Sequence, residues 1–138
     1  FDMSLVSLIY TSEMTASTDF MDILEVSRKN NERDCITGVL LFCNNHVIQC
    51  LEGGREAVNE TFARIVRDER HQNPLLVDYR TISVRLFSKW SMGYMPESSV
   101  SRAILLKYAV SQDFEPRLLS GESCLGMLVE LAQEVRTV

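Results

Sequence analysis

The stretch ITGVLLFCNNHVIQCL, residues 36–51, carries two β-rich apolar runs on either side of a pair of asparagines. Asn44 and Asn45 tolerate positive φ and therefore favour a tight turn between the runs. We predict two strands, over 36–42 and 46–51, that pair as a β-hairpin. The rest of the fold is arranged around this hairpin.

The segment before the hairpin predicts one strand and one helix. Residues 5–10 form a short β-rich run that the polar stretch 11–18 ends. Apolar residues then recur at helical spacing, and Thr18-Asp19 supplies an N-cap, so we expect a helix over 19–32.

The segment after the hairpin predicts a second helix and two more strands. Gly53-Gly54 breaks the second hairpin strand, and an amphipathic helix follows over 55–68. Asn73-Pro74 predicts a turn, and alternating patterns predict strands over 75–86 and 90–95. The order β-α-β-β-α-β-β favours an α+β sandwich, with two helices on one face of a mixed sheet.

The character of the chain changes after Pro96. A short helix is expected from 97 to about 109, Pro116 interrupts, and Ser120 caps a last helix that runs to about Arg136. The apolar residues of this last helix cover much of its circumference. Such breadth requires burial, either against the free face of the sheet or against another subunit.

Composition and charge exclude several classes of protein. The 138 residues favour one domain, and 46% hydrophobic with 24% charged residues is ordinary for a globular chain. A net charge of −5 gives no electrostatic basis for binding nucleic acid. No apolar stretch reaches the ~18 residues of a membrane span, and no signal peptide opens the chain. The four cysteines show no metal-ligand spacing and are expected to be buried free thiols, so we expect no metal and a cytoplasmic location.

Polar residues occupy positions where core residues are expected. The apolar stripe of the first helix, which includes Ile23, ends in Asn30 and Asn31. Gln49 shares its strand face with Val47 and Leu51. An unpartnered buried amide costs ~1–3 kcal/mol, so several together need one another or a polar ligand. A planar heterocycle with alternating donors and acceptors, held between the two helices, satisfies them; an isoalloxazine ring fits that description, and so do other ligands.

The second helix and two aromatic residues extend this set. Thr61, Ile65 and Asp68 form one stripe, with Arg64 at its edge. Tyr10 shares its strand face with Val6 and Leu8, and Trp90 opens the last predicted strand.

Taken singly, each of these residues has an ordinary structural interpretation. The asparagine pair is typical of a helix C-cap, and Gln49 of an edge strand. Arg64 with Asp68 is typical of a surface helix pair, and Tyr10 and Trp90 of core aromatic residues. His71 is typical of a residue at a helix C-terminus.

Five motifs taken together resemble the signature of the BLUF family, the blue-light sensors that use flavin. The resemblance covers roughly residues 4–95, and the tail is similar to that of short, stand-alone family members of the PixD type. The matching stretches are Leu8-Ile9-Tyr10-Thr11-Ser12, Asn30-Asn31 with Ile36-Thr37-Gly38, Gln49-Cys50-Leu51-Glu52-Gly53, Asp68-Glu69-Arg70-His71 and Arg85-Leu86-Phe87-Ser88-Lys89-Trp90-Ser91-Met92.

The resemblance implies a ferredoxin-like fold with FAD between the two helices. It implies that Tyr10 is the photochemical electron and proton donor, that Gln49 lies between Tyr10 and the flavin, and that Trp90 and Met92 on the last strand report on Gln49. Val47 and Ile48 depart from the family pattern, which often has an aromatic residue shortly before the glutamine. The implied cofactor-binding residues are Tyr10, Ile23, Asn30, Asn31, Gln49, Arg64, Ile65, Asp68 and His71.

The resemblance also implies a division of labour along the chain. Residues 3–96 would form the flavin-binding domain and 97–138 a helical extension for output and self-association. No effector domain is expected, so we expect no enzymatic activity and an output through a partner protein. The breadth of the last helix favours a homo-oligomer.

Two other functions remain open from the residues. One is a colourless ferredoxin-like sensor whose amides bind a small molecule. The other is an acylphosphatase-like hydrolase, since Arg and Asn can stabilise phosphoryl transfer, although no Arg-bearing phosphate loop follows the first strand. An RNA-binding sheet lacks both the charge and the aromatic strand motif.

Overall fold

The Asn44-Asn45 hairpin lies inside the sheet. In the computed structural model, which describes residues 3–14 and 20–133, the two asparagines have φ of 56° and 63°. Cys43 pairs with His46 across the turn. The predicted hairpin is therefore confirmed, whereas the Thr18-Asp19 N-cap lies outside the described residues.

The described part of the chain contains five strands and four α-helices. They are β1 (Leu5–Met14), α1 (Phe20–Arg33), β2 (Thr37–Cys43), β3 (His46–Gly54), α2 (Arg55–Arg67), β4 (His71–Ile82), β5 (Gly93–Met95), α3 (Arg102–Tyr108) and α4 (Gly121–Ala132).

The strands form one sheet in the order β4-β1-β3-β2-β5. Neighbouring strands are antiparallel, except that β5 runs parallel to β2. Helices α1 and α2 share an apolar core with one face of the sheet, and α3 and α4 share a second core with the other face. The predicted α+β, ferredoxin-like class, with two helices on one face of a mixed five-stranded sheet and two C-terminal helices, is confirmed.

Strands β1 and β3 are longer than predicted. Thr11 and Ser12 continue β1 instead of ending it. Both residues pair with β3 and are buried, Thr11 also pairs with β4, and hydrogen bonds satisfy both hydroxyls. Thr11 Oγ1, for example, donates to the Val47 carbonyl at 2.7 Å. Gly53 and Gly54 likewise stay in β3, paired with the start of β1.

The turn predicted at Asn73-Pro74 is wrong, since both residues lie within β4. The pairing register of β4 with β1 shifts at this point, and Asn73 has φ of 50°. The two residues therefore form a bulge. A proline is tolerated here because β4 is an edge strand, where a missing N–H breaks little of the ladder.

The last two strands have other bounds than predicted, since β4 keeps its predicted length but is shifted to His71–Ile82, and β5 is shorter. β4 ends at Ile82 rather than Leu86, and β5 begins at Gly93 rather than Trp90. The two strands lie at opposite edges of the sheet, so residues 83–92 must cross the ends of β1, β3 and β2, where no strand is free to pair. We call residues 83–92 the crossover segment.

The C-terminal helices pack against the free face of the sheet. The helix predicted over 97–109 divides into a short 3₁₀ turn and α3, because the Ser101 hydroxyl accepts from Ile104 N at 3.1 Å and caps a new helix. Ser120 caps α4 as predicted. The apolar face of α4 is buried in the core that it shares with the sheet, which settles where its broad apolar surface goes.

Two further expectations concern the membrane and the thiols. None of the described helices is both long enough and apolar enough to cross a bilayer. Cys43, Cys50 and Cys124 are buried and free, as expected. Cys35 is exposed in the turn after α1, so the expectation of burial is wrong for this residue.

Candidate functional site

Tyr10 and Gln49 form a buried hydrogen-bonded pair across two central strands. They are direct partners in the β1–β3 register, and their exposed fractions are 0% and 3%. The Tyr10 hydroxyl donates to Gln49 Oε1. Burial, and then the negative charge of Asp68, raise the pKa of Tyr10 above its ordinary value, which keeps the phenol a neutral donor. Since β3 is a central strand, the interpretation of Gln49 as an edge-strand surface residue is wrong.

The other end of the Gln49 amide faces Met92. Gln49 Nε2 donates to Met92 Sδ at 3.3 Å, and Met92 is 2% exposed. A thioether can only accept, whereas the phenol can donate. The two neighbours therefore fix the orientation of the amide, with its oxygen toward Tyr10 and its nitrogen toward Met92.

Trp90 and Met92 lie on opposite faces of the sheet. Met92 packs in the core under α1 and α2, while Trp90 packs against the core under α3 and α4. Neither residue is in a strand, so their predicted place on the last strand is wrong. Among the described residues, the buried Trp90 Nε1 has no hydrogen-bond partner.

Three successive carbonyls of the crossover segment are held by neighbouring elements. Trp90 O accepts from Gly38 N at 3.1 Å in β2. Ser91 O accepts from Asn31 Nδ2 at 2.8 Å, and Met92 O from Arg28 Nε at 3.0 Å. Hydrogen bonds from α1 and β2 thus hold the backbone that positions Met92 beside Gln49.

The helix-cap interpretation of Asn30-Asn31 is wrong. Both residues lie inside α1, which continues to Arg33. Cys35, with φ of 56°, takes the left-handed position beyond the helix. The Asn31 side chain, 3% exposed, reaches Ser91 instead of the end of its own helix.

A cleft of about 210 Å³ separates α1 from α2 beside this pair. The structure brings eight of the nine residues named for cofactor binding to its lining, and the ninth, Tyr10, lies behind Gln49. The lining residues are Ile23, Val26, Ser27, Asn30, Asn31, Gln49, Thr61, Arg64, Ile65, Asp68, Arg70 and His71.

Charged residues at the α2 end of the cleft make different pairs from those expected. Arg64 contacts Asp34 at 3.4 Å and Thr61 Oγ1 at 3.2 Å, so the surface pair with Asp68 is wrong. Asp68 instead accepts from Arg70, with Oδ2 2.6 Å from Nη2. These hydrogen bonds hold the pKa of the Asp68 carboxyl below its ordinary value.

His71 is the first residue of β4, not a helix C-terminal residue. Its Nδ1 lies 2.8 Å from Ser12 Oγ, and its ring meets that of Tyr10 edge-on at 6.1 Å between centroids. Burial lowers its pKa, so the ring is neutral at pH 7.

Sequence reasoning missed several contributors to the site. Arg28 lies in a polar stretch that predicts nothing by itself, and Ser12 appears only as the last residue of the first motif. Arg70 was noted only as part of a motif. No group of three or more His, Cys, Asp or Glu side chains within the described ranges is arranged to hold a metal ion.

Comparison with known proteins identifies the family. A sequence model for "Sensors of blue-light using FAD", the BLUF family, matches residues 5–93. The blue light- and temperature-regulated antirepressor BluF of Escherichia coli (strain K12) is 36% identical over 93 residues, which are 64% of this chain and 23% of that protein. The photoactivated adenylate cyclase subunit beta of Euglena gracilis is 30% identical over 115 residues, 80% of this chain and 13% of that protein. This chain therefore spans about an eighth of the Euglena subunit.

Solved structures extend the similarity beyond residue 93. BlsA in its photo-activated state matches with a TM-score of 0.87 and 30% identity, over 97% of this chain and 99% of that one. The dark-state structure of BlrB, a BLUF protein, matches with a TM-score of 0.72 and 35% identity, over 96% and 97% of the two chains. With a family model over residues 5–93 and the matching fold, the chain belongs to the BLUF family of blue-light sensors, whose cofactor is FAD.

Proposed function

We propose that this chain is a photoreceptor in which Tyr10, Gln49 and Met92 form a light-operated hydrogen-bond switch beside FAD. The observation that carries this proposal is the buried chain of contacts from the Tyr10 hydroxyl through the Gln49 amide to Met92 Sδ, at the wall of the cleft. The chain acts as a sensor and carries out no catalysis of its own.

The residues that line the cleft fit a flavin by their chemistry. Ile23 of α1 and Ile65 of α2 offer apolar surface to the two faces of a planar ring. Asn31 has its amide nitrogen engaged with Ser91, which leaves its oxygen to accept from an imide N–H. Asn30 supplies a second amide, and Arg64 supplies positive charge for a ring oxygen or a phosphate. Non-covalent binding of FAD between α1 and α2 follows from this donor set.

FAD, when bound, absorbs blue light and in its excited state can take an electron from a phenol. Tyr10 is the donor, and loss of the electron makes its hydroxyl strongly acidic. The only acceptor that this hydroxyl contacts among the described residues is Gln49 Oε1, so the O–H bond breaks toward that oxygen. To balance this proton, Gln49 would give up one Nε2 hydrogen to the bound flavin, and return of the electron and of one proton to Tyr10 would leave the amide either rotated or as its imidic-acid tautomer.

Rotation breaks the Gln49–Met92 contact, and tautomerisation alters it because only one hydrogen remains on Nε2. In the rotated amide, Oε1 faces Met92 Sδ, and two acceptors cannot form a hydrogen bond. Met92 comes directly before β5 in the chain. Trp90, two residues earlier, packs against the core under α3 and α4. A change in the hydrogen bonds of Gln49 therefore reaches the C-terminal helices through residues 90–92. These residues form a two-state element whose equilibrium the Gln49–Met92 contact shifts.

The output is proposed to pass from the extension, residues 97–138, to a partner protein in the cytoplasm. Relatives of the family are named for different effectors, an adenylate cyclase in Euglena and an antirepressor in E. coli. Self-association stays part of the proposal, but the apolar breadth of α4 no longer supports it, since those residues are buried against the sheet. Residues 3–96 remain the proposed sensing domain.

The test of this function is the absorption spectrum of the full chain loaded with FAD. We expect a structured flavin band that shifts to longer wavelength under blue light and returns in the dark. A chain that stays colourless after supplementation with FAD would point to the ligand sensor instead. A bound flavin whose band does not move would contradict the switch.

The placement of FAD in the cleft has its own test. Replacing Arg64 with Ala removes a charge at the cleft, so FAD should bind roughly tenfold more weakly. Arg67→Ala, one turn further along α2 on an exposed site outside the cleft lining, is the matched control and should bind FAD normally. Equal losses of affinity in both variants would place the cofactor elsewhere.

A further inference from the structure

Glu52 is a buried carboxylate near the end of the central strand β3. Its exposed fraction is 1%, and its side chain lies on the face of β3 opposite to that of Gln49, three residues earlier on the strand. A buried charge is costly unless hydrogen bonds and opposite charge compensate it. The partners of this carboxylate therefore indicate what it is retained for.

Its carboxylate holds the crossover segment. Glu52 Oε2 accepts from Leu86 N at 2.7 Å, and Oε1 accepts from Phe87 N at 3.0 Å. Oε1 also accepts from the hydroxyl of Thr37 at 3.0 Å, its partner in β2. Hydrogen bonds to an ionised acceptor are among the stronger ones in proteins.

The position of this contact along the crossover segment matters. Residues 83–92 pass from β4 at one edge of the sheet to β5 at the other, and they form no strand or helix. Glu52 anchors them midway, at the central strand. From there the segment continues to Trp90 on one face and Met92 on the other.

We propose that Glu52 is a positioning residue of the photoreceptor. By holding Leu86 and Phe87 against β3, the carboxylate fixes the path of the crossover segment. It thereby fixes the position of Met92 Sδ relative to Gln49 Nε2. Gln49 and Glu52, which anchors the segment that carries Met92, lie on the same strand. Met92 is therefore kept aligned with Gln49. This inference rests on the proposed function, because it assigns Glu52 a role in the same switch.

Glu52→Gln tests the anchor. The amide keeps one acceptor oxygen and turns a donor toward a backbone N–H, so one of the two contacts is lost. Trp90, the single tryptophan, should become at least about twofold more sensitive to acrylamide quenching in the FAD-loaded chain in the dark, because the segment opens more often. Recovery of the dark spectrum should slow a few-fold, by no more than in Met92→Leu, because Glu52 acts only through the contact between Met92 and Gln49. Glu60→Gln, the same change on an exposed site of α2, should alter neither quantity.

A double-mutant cycle separates positioning from general loosening. If Glu52 acts through Met92, adding Glu52→Gln to Met92→Leu should leave the recovery rate at the Met92→Leu value. Independent, multiplying effects on the rate would overturn the proposal. So would normal recovery in Glu52→Gln, whether or not the quenching of Trp90 changes.

A second pair of variants covers a failure of Glu52→Gln to fold. Thr37→Val removes the hydroxyl that donates to Glu52, while Thr37→Ser keeps it. Recovery that slows in Thr37→Val but not in Thr37→Ser supports the proposal. Equal recovery in the two variants overturns it. A wild-type chain that binds FAD but shows no red shift contradicts the proposed function itself, whereas a normal wild-type shift with unchanged variants contradicts only the role of Glu52.

Discussion

Gln49 Nε2 lies 3.3 Å from Met92 Sδ, although the two residues are 43 positions apart and Met92 belongs to no strand. The contact depends on a backbone that α1, β2 and β3 hold from three sides. It turns the amide of Gln49 into a group with one defined orientation. The dark state of the proposed switch is therefore a property of the crossover segment as much as of the strand that carries Gln49.

Met92→Leu should slow the return to the dark state. Leucine has a similar volume and leaves the packing intact, but it offers no acceptor to Gln49 Nε2. The dark orientation of the Gln49 amide is then stabilised by one hydrogen bond fewer, so the return to it is slower. We expect FAD binding and the red shift to persist, with a recovery rate a few-fold lower in flash spectroscopy, within ~1 kcal/mol of the wild-type barrier.

Met95→Leu is the matched control for this change. Met95 is equally buried but packs in the core on the other face of the sheet. It should recover at the wild-type rate. Equal slowing in both variants would show that methionine packing, rather than the contact with Gln49, sets the lifetime.

His71 should make the stability of the protein depend on pH in the mildly acidic range. Burial lowers its pKa in the folded state below the ordinary 6.5, so the unfolded chain binds more protons as the pH falls through 6.5. Stability is then highest above 6.5 and is lost on acidification, with a slope of at most about 1.4 kcal/mol per pH unit.

Urea unfolding at pH 7.5 and pH 5.5 measures this dependence. The carboxylates with lowered pKa, such as Asp68, remain ionised over that range and do not contribute. The midpoint should fall less on acidification in His71→Gln than in the wild type. An equal fall in both proteins would assign the dependence to another group.

Gly38→Ala should destabilise the sheet strongly. A Cβ at this position would lie 1.9 Å from the carbonyl oxygen of Cys50, a backbone atom that can move only if β2 and β3 separate. We expect a loss of about 3 kcal/mol in the free energy of unfolding. Gly54→Ala meets nothing within 4 Å and should change stability little, so similar losses at both glycines would contradict the steric explanation.

The hairpin and the faces of its strands could be predicted from the sequence because they are set by local rules. Asn44-Asn45 specifies the turn, and the two-residue period of a strand places Gln49 with Val47 and Leu51 on one face, the face that α1 and α2 cover. The same period places Glu52 with Ile48 and Cys50 on the opposite buried face. Applied there, it would have marked Glu52 as a second polar residue in the core.

The crossover segment could not be predicted in this way. Its alternating pattern favours strands, but whether a partner strand is available depends on the order β4-β1-β3-β2-β5, which no local pattern contains. For the same reason the sequence could not decide that Met92, and not Trp90, contacts Gln49. The continuation of β1 through Thr11 and Ser12 depends likewise on distant partners, Val47 and His71.

The most direct test of the switch is the light-minus-dark absorption spectrum of the FAD-loaded Tyr10→Phe variant. The phenyl ring keeps the packing but removes the hydroxyl that contacts Gln49 Oε1, so neither the electron donor nor the proton remains. Tyr94→Phe, a half-buried tyrosine of β5, serves as the control and should behave as the wild type. We predict that Tyr10→Phe binds FAD and shows no red shift under blue light; a normal shift in this variant would contradict the account.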